Sequence, residues 1–493
     1  MPIVQSTSGQ ILDDVYITET QSPPNIQGVQ TGIVKMVGDF TRGIPGAIYT
    51  FSDYATAVRN LGPSTLAVNG PLNIQALIKQ YAGGLRITPV FGTTATPAKV
   101  TLQDTATPTA GNVLTLTAAQ VHPQTSLTTA ILGSDANSMT ATVAINGSAF
   151  DLTIYDPRTN TSETYTELTD SSMMATINAK SKIAIASLPS SPSSLLPAAG
   201  TFAFSGGTEG TPGDSDFVGS SGTGLTALNA ITGNMVFVAN QYSTTINAAV
   251  AQHGTTYNCM PLTCMAPGST VAATVTGNVN KQDNMAYCDG WQNIYDQDTK
   301  TNRQIAPTAL VAGMAAQLPW YKSWGNKTIY GTLGSVTPRS TDDLKTLQAA
   351  GVLCVCDSIP RGGIGTRSGV AADGSDLYVR RSRYFLEQSA MTSMGWAVDE
   401  MQSSGDNDPL RKDVKGSLDA FSEPLANPPD PKNKQIDSYL VICNSSNNSA
   451  SSVAAGNLVV NWKVRLLGTA KNIDVFSDIS TSTITTSSTV SSS

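Results

Sequence analysis

The spacing of apolar positions changes from segment to segment along the chain, and each spacing predicts an element. "TGIVKMVGDFTRGIPG" (31–46) is a continuous apolar run closed by Gly and Pro, the pattern of a buried strand and a turn. "FSDYATAVRNLG" (51–62) predicts a short helix with Ser52 as its cap and Gly62–Pro63 as its stop. "PLNIQALIKQYAGG" (71–84) has helical spacing, Pro71 in the first turn and two glycines at its end. "LRITPVFG" (85–92) completes a β-α-α-β opening. From 93 to 204 the period drops to two. "ATVAINGSAFDLTIYD" (141–156) alternates about an Asn146–Gly147 turn and predicts a hairpin, "SETYTELTD" (162–170) another strand, and "SSMMATINAKS" (171–181) one short helix. "LPSSPSSLLPAAG" (188–200) reads as a linker.

Helical and strand patterns alternate again after 205. "NMVFVAN" (234–240) and "VLCVCD" (352–357) predict strands, and "STTINAAVAQHG" (243–254) a capped helix. An apolar helix starts at 306 and runs into Trp320, Tyr321 and Trp324; "STDDLKTLQAAG" (340–351) is a helix with Thr341 as cap. Residues 376–401 read as a strand passing into a helix. The best-defined helix is 407–427: Asp408 caps it, Pro409 opens it, and Leu410, Val414, Leu418 and Phe421 form one apolar stripe. Arg411, Lys412 and Lys415 lie off that stripe. "DSYLVICN" (437–444) and two strand-like runs in "GNLVVNWKVRLLGTAKNIDVFSDIS" (456–480) follow, then a Ser/Thr tail. A short strand at Val15–Thr18 stops at Pro23–Pro24. Both ends therefore read as arms that need a strand partner.

Composition narrows the class. Charged residues are 13% of the 493, about half the usual share, and net charge is −7. No Lys/Arg block marks a nucleic-acid surface. No apolar run is long enough for a transmembrane helix, and the start lacks a signal-peptide pattern, which points to synthesis in a cytoplasm. Six cysteines spaced C-x4-C and C-x-C, with two histidines, do not match a zinc framework; buried reduced thiols are expected, and no cofactor or metal. Nucleophilic catalysis needs a base, and only His122 and His253 are available. His253 lies at a helix end, where capping suffices. Neither "SGGTEGTPG" (205–213) nor "RGGIGTRSG" (361–369) has phosphate-loop spacing, and "YDQDTKTN" (295–302) lacks the Gly and Glu of a calcium loop. No catalytic site is expected. Two alternatives stay open: a degenerate α/β hydrolase using His253, and a virion adhesin carrying a Thr/Ser-rich binding domain.

In order along the chain, "DDVYITET", "IQGVQTGIVKMVGDFTRG", "AGGLRITPV", "SGGTEG", "DLKTLQAAGVLCV", "DLYVRRSRYFLEQSAMTSMGWAVDEMQSSGDNDPLRKDVKGSLDAF" and the closing 456–480 segment resemble the tail sheath proteins of contractile bacteriophages and tailocins. The usual Pro of the closing segment is replaced by "GTAKNID". The resemblance implies a mixed α/β multidomain fold: inner α/β domains of subtilisin-like topology, one inserted mostly-β domain and extended terminal arms. It implies an N-terminal arm at 1–24, a first core part at 25–92, an outward-facing β-rich insertion at 93–204, an α/β middle domain at 205–365, a C-terminal sheath domain at 366–468 and an arm with a Ser/Thr tail at 469–493. Ile305 stands where a subtilisin would carry its serine, ahead of "ALVAGMAA" (309–316). The implied function is a sheath subunit that polymerises helically around the tail tube and contracts to drive the tube through the host envelope for genome delivery. The implied partners are other copies of the chain, the tail tube, baseplate and tail terminator proteins, with no nucleic acid and no membrane insertion. The implied location is the virion tail, assembled in the host bacterial cytoplasm. Val15, Tyr16 and Ile17, with Ile473, Val475 and Phe476, are the implied strand-exchange residues. Arg411, Lys412 and Lys415 are the implied tube-facing ones.

Overall fold

The computed structural model describes residues 24–471 and 473, apart from Tyr81, Thr107, Pro108, Thr232 and Asp406. The chain divides into two compact units, Met1–Met401 and Gln402–Ser493. In the first, the run after Gly32 becomes β1 (Ile33–Asp39), with all seven residues buried. Asp53, one position beyond the expected Ser52, caps α1 (Tyr54–Leu61) by accepting from the Thr56 amide at 2.8 Å. The N-cap residue of α2 (Gly70–Lys79), Asn69, makes no side-chain cap bond. Its place is taken by buried Asp39 at the end of β1, which accepts from the Asn69 and Gly70 amides at 3.1 and 3.0 Å. A Cβ on Gly70 would meet the Asp39 carbonyl oxygen at 2.2 Å, so this junction requires glycine. The chain then returns parallel to β1 as β2 (Gly84–Val90).

The period-two stretch forms β3 (Lys99–Gln103), β4 (Asn112–Val121), β5 (Thr128–Ala130), β6 (Thr140–Asn146), β7 (Ala149–Asp156), β8 (Thr161–Leu168), α3 (Met173–Lys180), β9 (Ala184–Ser187) and β10 (Gly200–Ala203). They make two antiparallel sheets, β10-β6-β7-β8 and β3-β4-β5, with β9 also paired to β4. The β6–β7 turn uses Gly147 at φ +61, as Asn-Gly turns require. In β7 the alternation sends Phe150, Leu152, Ile154 and Asp156 inward.

The rest of the unit comprises α4 (Asp214–Val218), β11 (Met235–Val238), α5 (Thr244–Thr256), β12 (Met260–Cys264), α6 (Val271–Gly277), β13 (Ala286–Asp289), β14 (Gln292–Asp296), β15 (Thr301–Ile305), α7 (Pro307–Gln317), β16 (Lys327–Thr328), β17 (Gly334–Ser335), α8 (Thr341–Ala349), β18 (Val352–Cys356), β19 (Gly365–Thr366) and α9 (Leu377–Ser393). An eight-stranded sheet runs β16-β19-β18-β13-β12-β11-β1-β2, parallel from β18 to β2 and antiparallel at its β19–β16 edge. Strands buried on both faces read as unbroken apolar runs, as "MVFV", "MPLTC" and "VLCVC" do. The six cysteines are reduced and buried. Two expectations are corrected. Ser340, not Thr341, caps α8, closing a capping box with Asp343. The "DLYVRR" stretch is helical from Leu377. Its buried residues, Leu377, Tyr378, Arg381, Ser382, Phe385 and Ser389 among them, recur at helical spacing, and that tertiary stripe overrides the strand preference of Tyr and Val.

One apolar core runs from β1 and β2 into β4, β6 and β7. The two are also pinned by charge. Arg42, 1% exposed and just past β1, donates to both Asp156 oxygens, at 3.2 and 2.5 Å. Its other neighbour is Asp135, at 3.6 Å, which itself receives Arg158 at 2.6 Å. Burial alone would raise the Asp156 carboxyl; the bonds and charge of Arg42, with Thr159 and the Arg158 amide, hold it below its ordinary value. Backbone bonds Gly43 to Leu132 (3.2 and 2.9 Å) and Asp135 to Thr41 (3.1 Å) close the same junction. Removing one partner of a buried pair strands the other's charge. Arg42→Ala and Asp156→Asn are each expected to cost about 3–5 kcal/mol, read as a lower urea midpoint. The double variant Arg42→Met/Asp156→Leu is expected to recover most of that loss.

Candidate functional site

The second unit is built on α10 (Pro409–Ala426), β20 (Ile436–Ile442), α11 (Ala450–Ala454) and β21 (Asn461–Leu466). Asp408 caps α10 as expected, accepting from the Arg411 amide at 2.8 Å. Leu410, Val414 and Leu418 are buried and Phe421 is half-buried, so the apolar stripe faces inward. β20 and β21 pair antiparallel, Tyr439 opposite Val464 and Val441 opposite Trp462. The same face meets α10: Trp462 Nε1 donates to Ser422 Oγ at 3.1 Å, its ring lies edge-on to Phe421 at 6.2 Å, and Tyr439 donates to Glu423 at 2.8 Å. Asn447 and Asn448 tie off the connection by donating to the Val459 carbonyl at 3.0 and 2.9 Å.

A lone hairpin is marginal in water, and one helix covers only one face. Trp462, Val464 and Leu466 remain half-buried and Leu440 is 51% exposed. Among the described residues neither strand has a second partner, so both edges present unpaired backbone groups. The unit thus holds a two-stranded sheet with two open edges among the described residues. Of the residues expected to exchange strands, Ile473 is 83% exposed. Val15, Tyr16, Ile17, Val475 and Phe476 lie outside the described residues, as does the second strand-like run of the closing segment.

The N-terminal segment has a definite root. The Gln27 amide donates to Ser393 Oγ at 3.1 Å and the Val29 amide to Ser389 Oγ at 3.0 Å. Between them a Cβ on Gly28 would sit 3.0 Å from the Phe385 ring, which stacks on Trp320 at 4.5 Å. The sequence reading missed this pair of serines. Their signal is a polar i, i+4 spacing on the buried side of a helix.

Of the three cations expected to face the tube, Arg411 does not project from the surface. Arg411 is 1% exposed and points inward, donating to the Ser403 carbonyl at 2.9 Å and to the Gly405 carbonyl, with Asp408 at 3.6 Å. It organises the loop ahead of α10 and is not a surface charge. The reason is position: Arg411 is one residue from Leu410 and three from Val414, so it borders the stripe. Lys412 and Lys415 are exposed, Lys412 on Asn407 at 3.0 Å and Lys415 paired with Asp419.

Both histidines carry structural bonds. His122 Nδ1 accepts from the Gln124 and Thr125 amides at 3.2 and 3.3 Å, closing a turn. His253 is 4% exposed; its Nε2 accepts from Lys35 Nζ at 2.9 Å and its ring lies 4.6 Å from Tyr257. That nitrogen is therefore engaged, and the ring is buried away from solvent. Burial first, then the Lys35 charge, lowers His253 to about 3.

Two outcomes follow. Unfolded His253 protonates near pH 6.5 and the folded ring only near 3. Its contribution is therefore complete above pH 6.5 and is lost as pH falls through that window, by about 1.4 kcal/mol per unit. Urea unfolding of the parent and of His253→Gln, at pH 7, 5.5 and 4.5, should differ by that slope. In the second unit, Arg411→Ala is expected to lower stability by about 3 kcal/mol, whereas Lys412→Ala and Lys415→Ala each change it by about 0.5 kcal/mol or less.

No family model matches the sequence, and no curated protein matches it either. Solved structures do. A sheath tail protein from Desulfitobacterium hafniense is 15% identical, with TM-score 0.57, over 92% of this chain and 100% of that one. A sheath tail protein from Listeria innocua is 14% identical, with TM-score 0.58, over 90% and 96%. The helical sheath of the anti-feeding prophage in its contracted state is 12% identical, with TM-score 0.53, over 95% and 99%. The chain thus has, along nearly its whole length, the fold of contractile-tail sheath proteins.

Proposed function

We propose that this chain is the structural subunit of a contractile tail sheath. It polymerises helically around an inner tail tube and contracts to drive that tube through a host envelope for genome delivery. The carrying observation is the end-to-end likeness to sheath proteins, one of them a helical sheath in its contracted state. The two-stranded sheet of the second unit, with both edges unpaired among the described residues, supports it. In this reading the terminal arms, through Val15–Ile17 and Ile473–Phe476, add strands to that sheet in neighbouring subunits. Backbone bonds supply affinity and alternate side chains supply register. Each such bond is worth about 1 kcal/mol net, so several per arm are needed. The parallel run β2-β1-β11-β12-β13-β18 is in keeping with a subtilisin-like topology for the inner domain.

Further elements of the proposal are an outward-facing 93–204 domain, a tube contact through Lys412 and Lys415, and baseplate and terminator proteins at the two ends of a virion tail assembled in the bacterial cytoplasm. Exposed charge pairs are individually weak, about 1 kcal/mol or less. Repeated along a tail, such contacts hold and then release in sequence.

Negative-stain microscopy of purified protein tests the core of this reading: tubes or helical polymers are expected, and dispersed particles at all concentrations would overturn it. Deleting residues 1–20, or ending the chain after Gly468, is expected to leave a folded protein that forms no intact sheath. Normal tubes from either truncation would remove the arms from the proposal.

A further inference from the structure

The two edges of the eight-stranded sheet are finished differently. At β2 the edge is closed by backbone: Tyr49 and Ile87 exchange bonds of 2.8 and 2.9 Å. At β16 the last strand is two residues long and pairs only with β19 among the described residues. Three cations gather there. Lys327 lies in the strand, Arg361 is joined to it through its amide on Asn326 Oδ1 at 2.9 Å, and Lys322 lies over the Tyr321 ring at 4.9 Å. Burial first, then the charges of Arg361 and Lys322, lowers Lys327. Lys322 and Arg361 are exposed, Lys327 half-buried, and none of the three is paired with a carboxylate among the described residues. Two large apolar side chains follow in the chain, Tyr330 at 50% and Leu333 at 58% exposure. Like charges brought together on a chain of net −7 call for an acidic counterpart.

The same unit carries one. After α9 the segment Val398-Asp399-Glu400-Met401 stands out from the surface: Val398 is 71% and Met401 91% exposed, and Asp399 turns the chain at φ +64. Asp399 and Glu400 are exposed, with no cation paired to either among the described residues. Two carboxylates flanked by two exposed apolar side chains match three cations followed by two large side chains that are half exposed or more.

We infer that the β16 edge of one subunit takes the acidic 398–401 segment of a second copy of this chain. Asp399 and Glu400 meet Lys322, Lys327 and Arg361, while Val398 and Met401 cover Tyr330 and Leu333. Donor and acceptor patches differ, so the contact is heterologous and repeats from copy to copy without closing, as a helical polymer requires. The inference rests on the sheath reading and adds to the arms a contact made by folded surfaces. Edge lysines have a second use, which is to repel strand pairing. That use predicts the opposite response to neutralisation.

The test is sedimentation and microscopy of the full chain at low and high salt. Lys322→Glu/Arg361→Glu, both exposed positions, and Asp399→Lys/Glu400→Lys should each raise the critical concentration for polymer about tenfold, the fold-change for roughly 1.4 kcal/mol. Joining the two reversals should restore assembly, and circular dichroism should show all variants folded. Neutral Lys322→Gln/Arg361→Gln should also weaken assembly. If the neutral variant instead associates more strongly, the cations guard the edge and the inference falls. If the reversals polymerise like the parent but coat tail tubes less, the cations face the tube and the inference falls while the sheath reading stands. If the parent itself never associates, both fall.

Discussion

The first unit is organised around one buried guanidinium. Arg42 leaves the end of β1 with nowhere to put its charge except on Asp156 and Asp135, both supplied by the stretch of two antiparallel sheets. With Arg158 on Asp135 the cluster holds two cations and two anions and is neutral. Neutrality matters because an isolated ion in that position would cost several kcal/mol. The antiparallel sheets are therefore not a removable ornament on the parallel one. They share its apolar core and complete its electrostatics. A Cβ on Gly133 would meet the Thr41 carbonyl oxygen at 2.1 Å, so backbone packing there leaves no slack for a substitute partner.

The same local device is used twice. Tyr155-Asp-Pro-Arg-Thr-Asn-Thr161 and Tyr295-Asp-Gln-Asp-Thr-Lys-Thr301 share one pattern and one turn. In each, the fully buried Asp accepts the amide two residues on at 3.0 Å, and the sixth residue, Asn160 or Lys300, has positive φ. In each, the Asp then takes an Arg. Asp156 takes Arg42, and Asp296 takes Arg303 at 3.0 Å. Arg303 continues to Ser64 Oγ at 2.6 Å and Asn69 Oδ1 at 2.7 Å, fastening that hairpin to the α1–α2 connection. The second copy was weighed in the sequence only as a weak calcium loop. Its meaning lies in a contact with residues more than 220 positions away, which no local pattern carries.

Elements set by periodicity and end signals were legible: β1, the Asn146–Gly147 hairpin, α3 and α10 with its Asp408 cap. What failed were choices between adjacent capping residues, where Asp53 displaced Ser52 and Ser340 displaced Thr341, and the conformation of "DLYVRR", where a stripe of tertiary contacts outweighed β-propensity. For the site, helical spacing placed Leu410, Val414 and Leu418 correctly. It misjudged Arg411, because a guanidinium beside an apolar stripe can bend beneath it once loop carbonyls are there to receive it. Burial of a charge is decided by the loop that wraps it, and the 402–408 loop has no periodic signature.

The root of the N-terminal segment carries a mechanical consequence. Gln27 is held at Ser393 and Val29 at Ser389, so the two anchor bonds lie one behind the other along the chain. Tension entering from the N-terminal side reaches Gln27 first and Val29 only after Gln27 lets go. Loaded from that side, the two bonds open one after the other. Opening the second bond leaves the Ser389 hydroxyl in place, because it is held by its own bond to the Phe385 carbonyl at 2.7 Å. The Val29 amide can therefore find its acceptor again once the tension is gone.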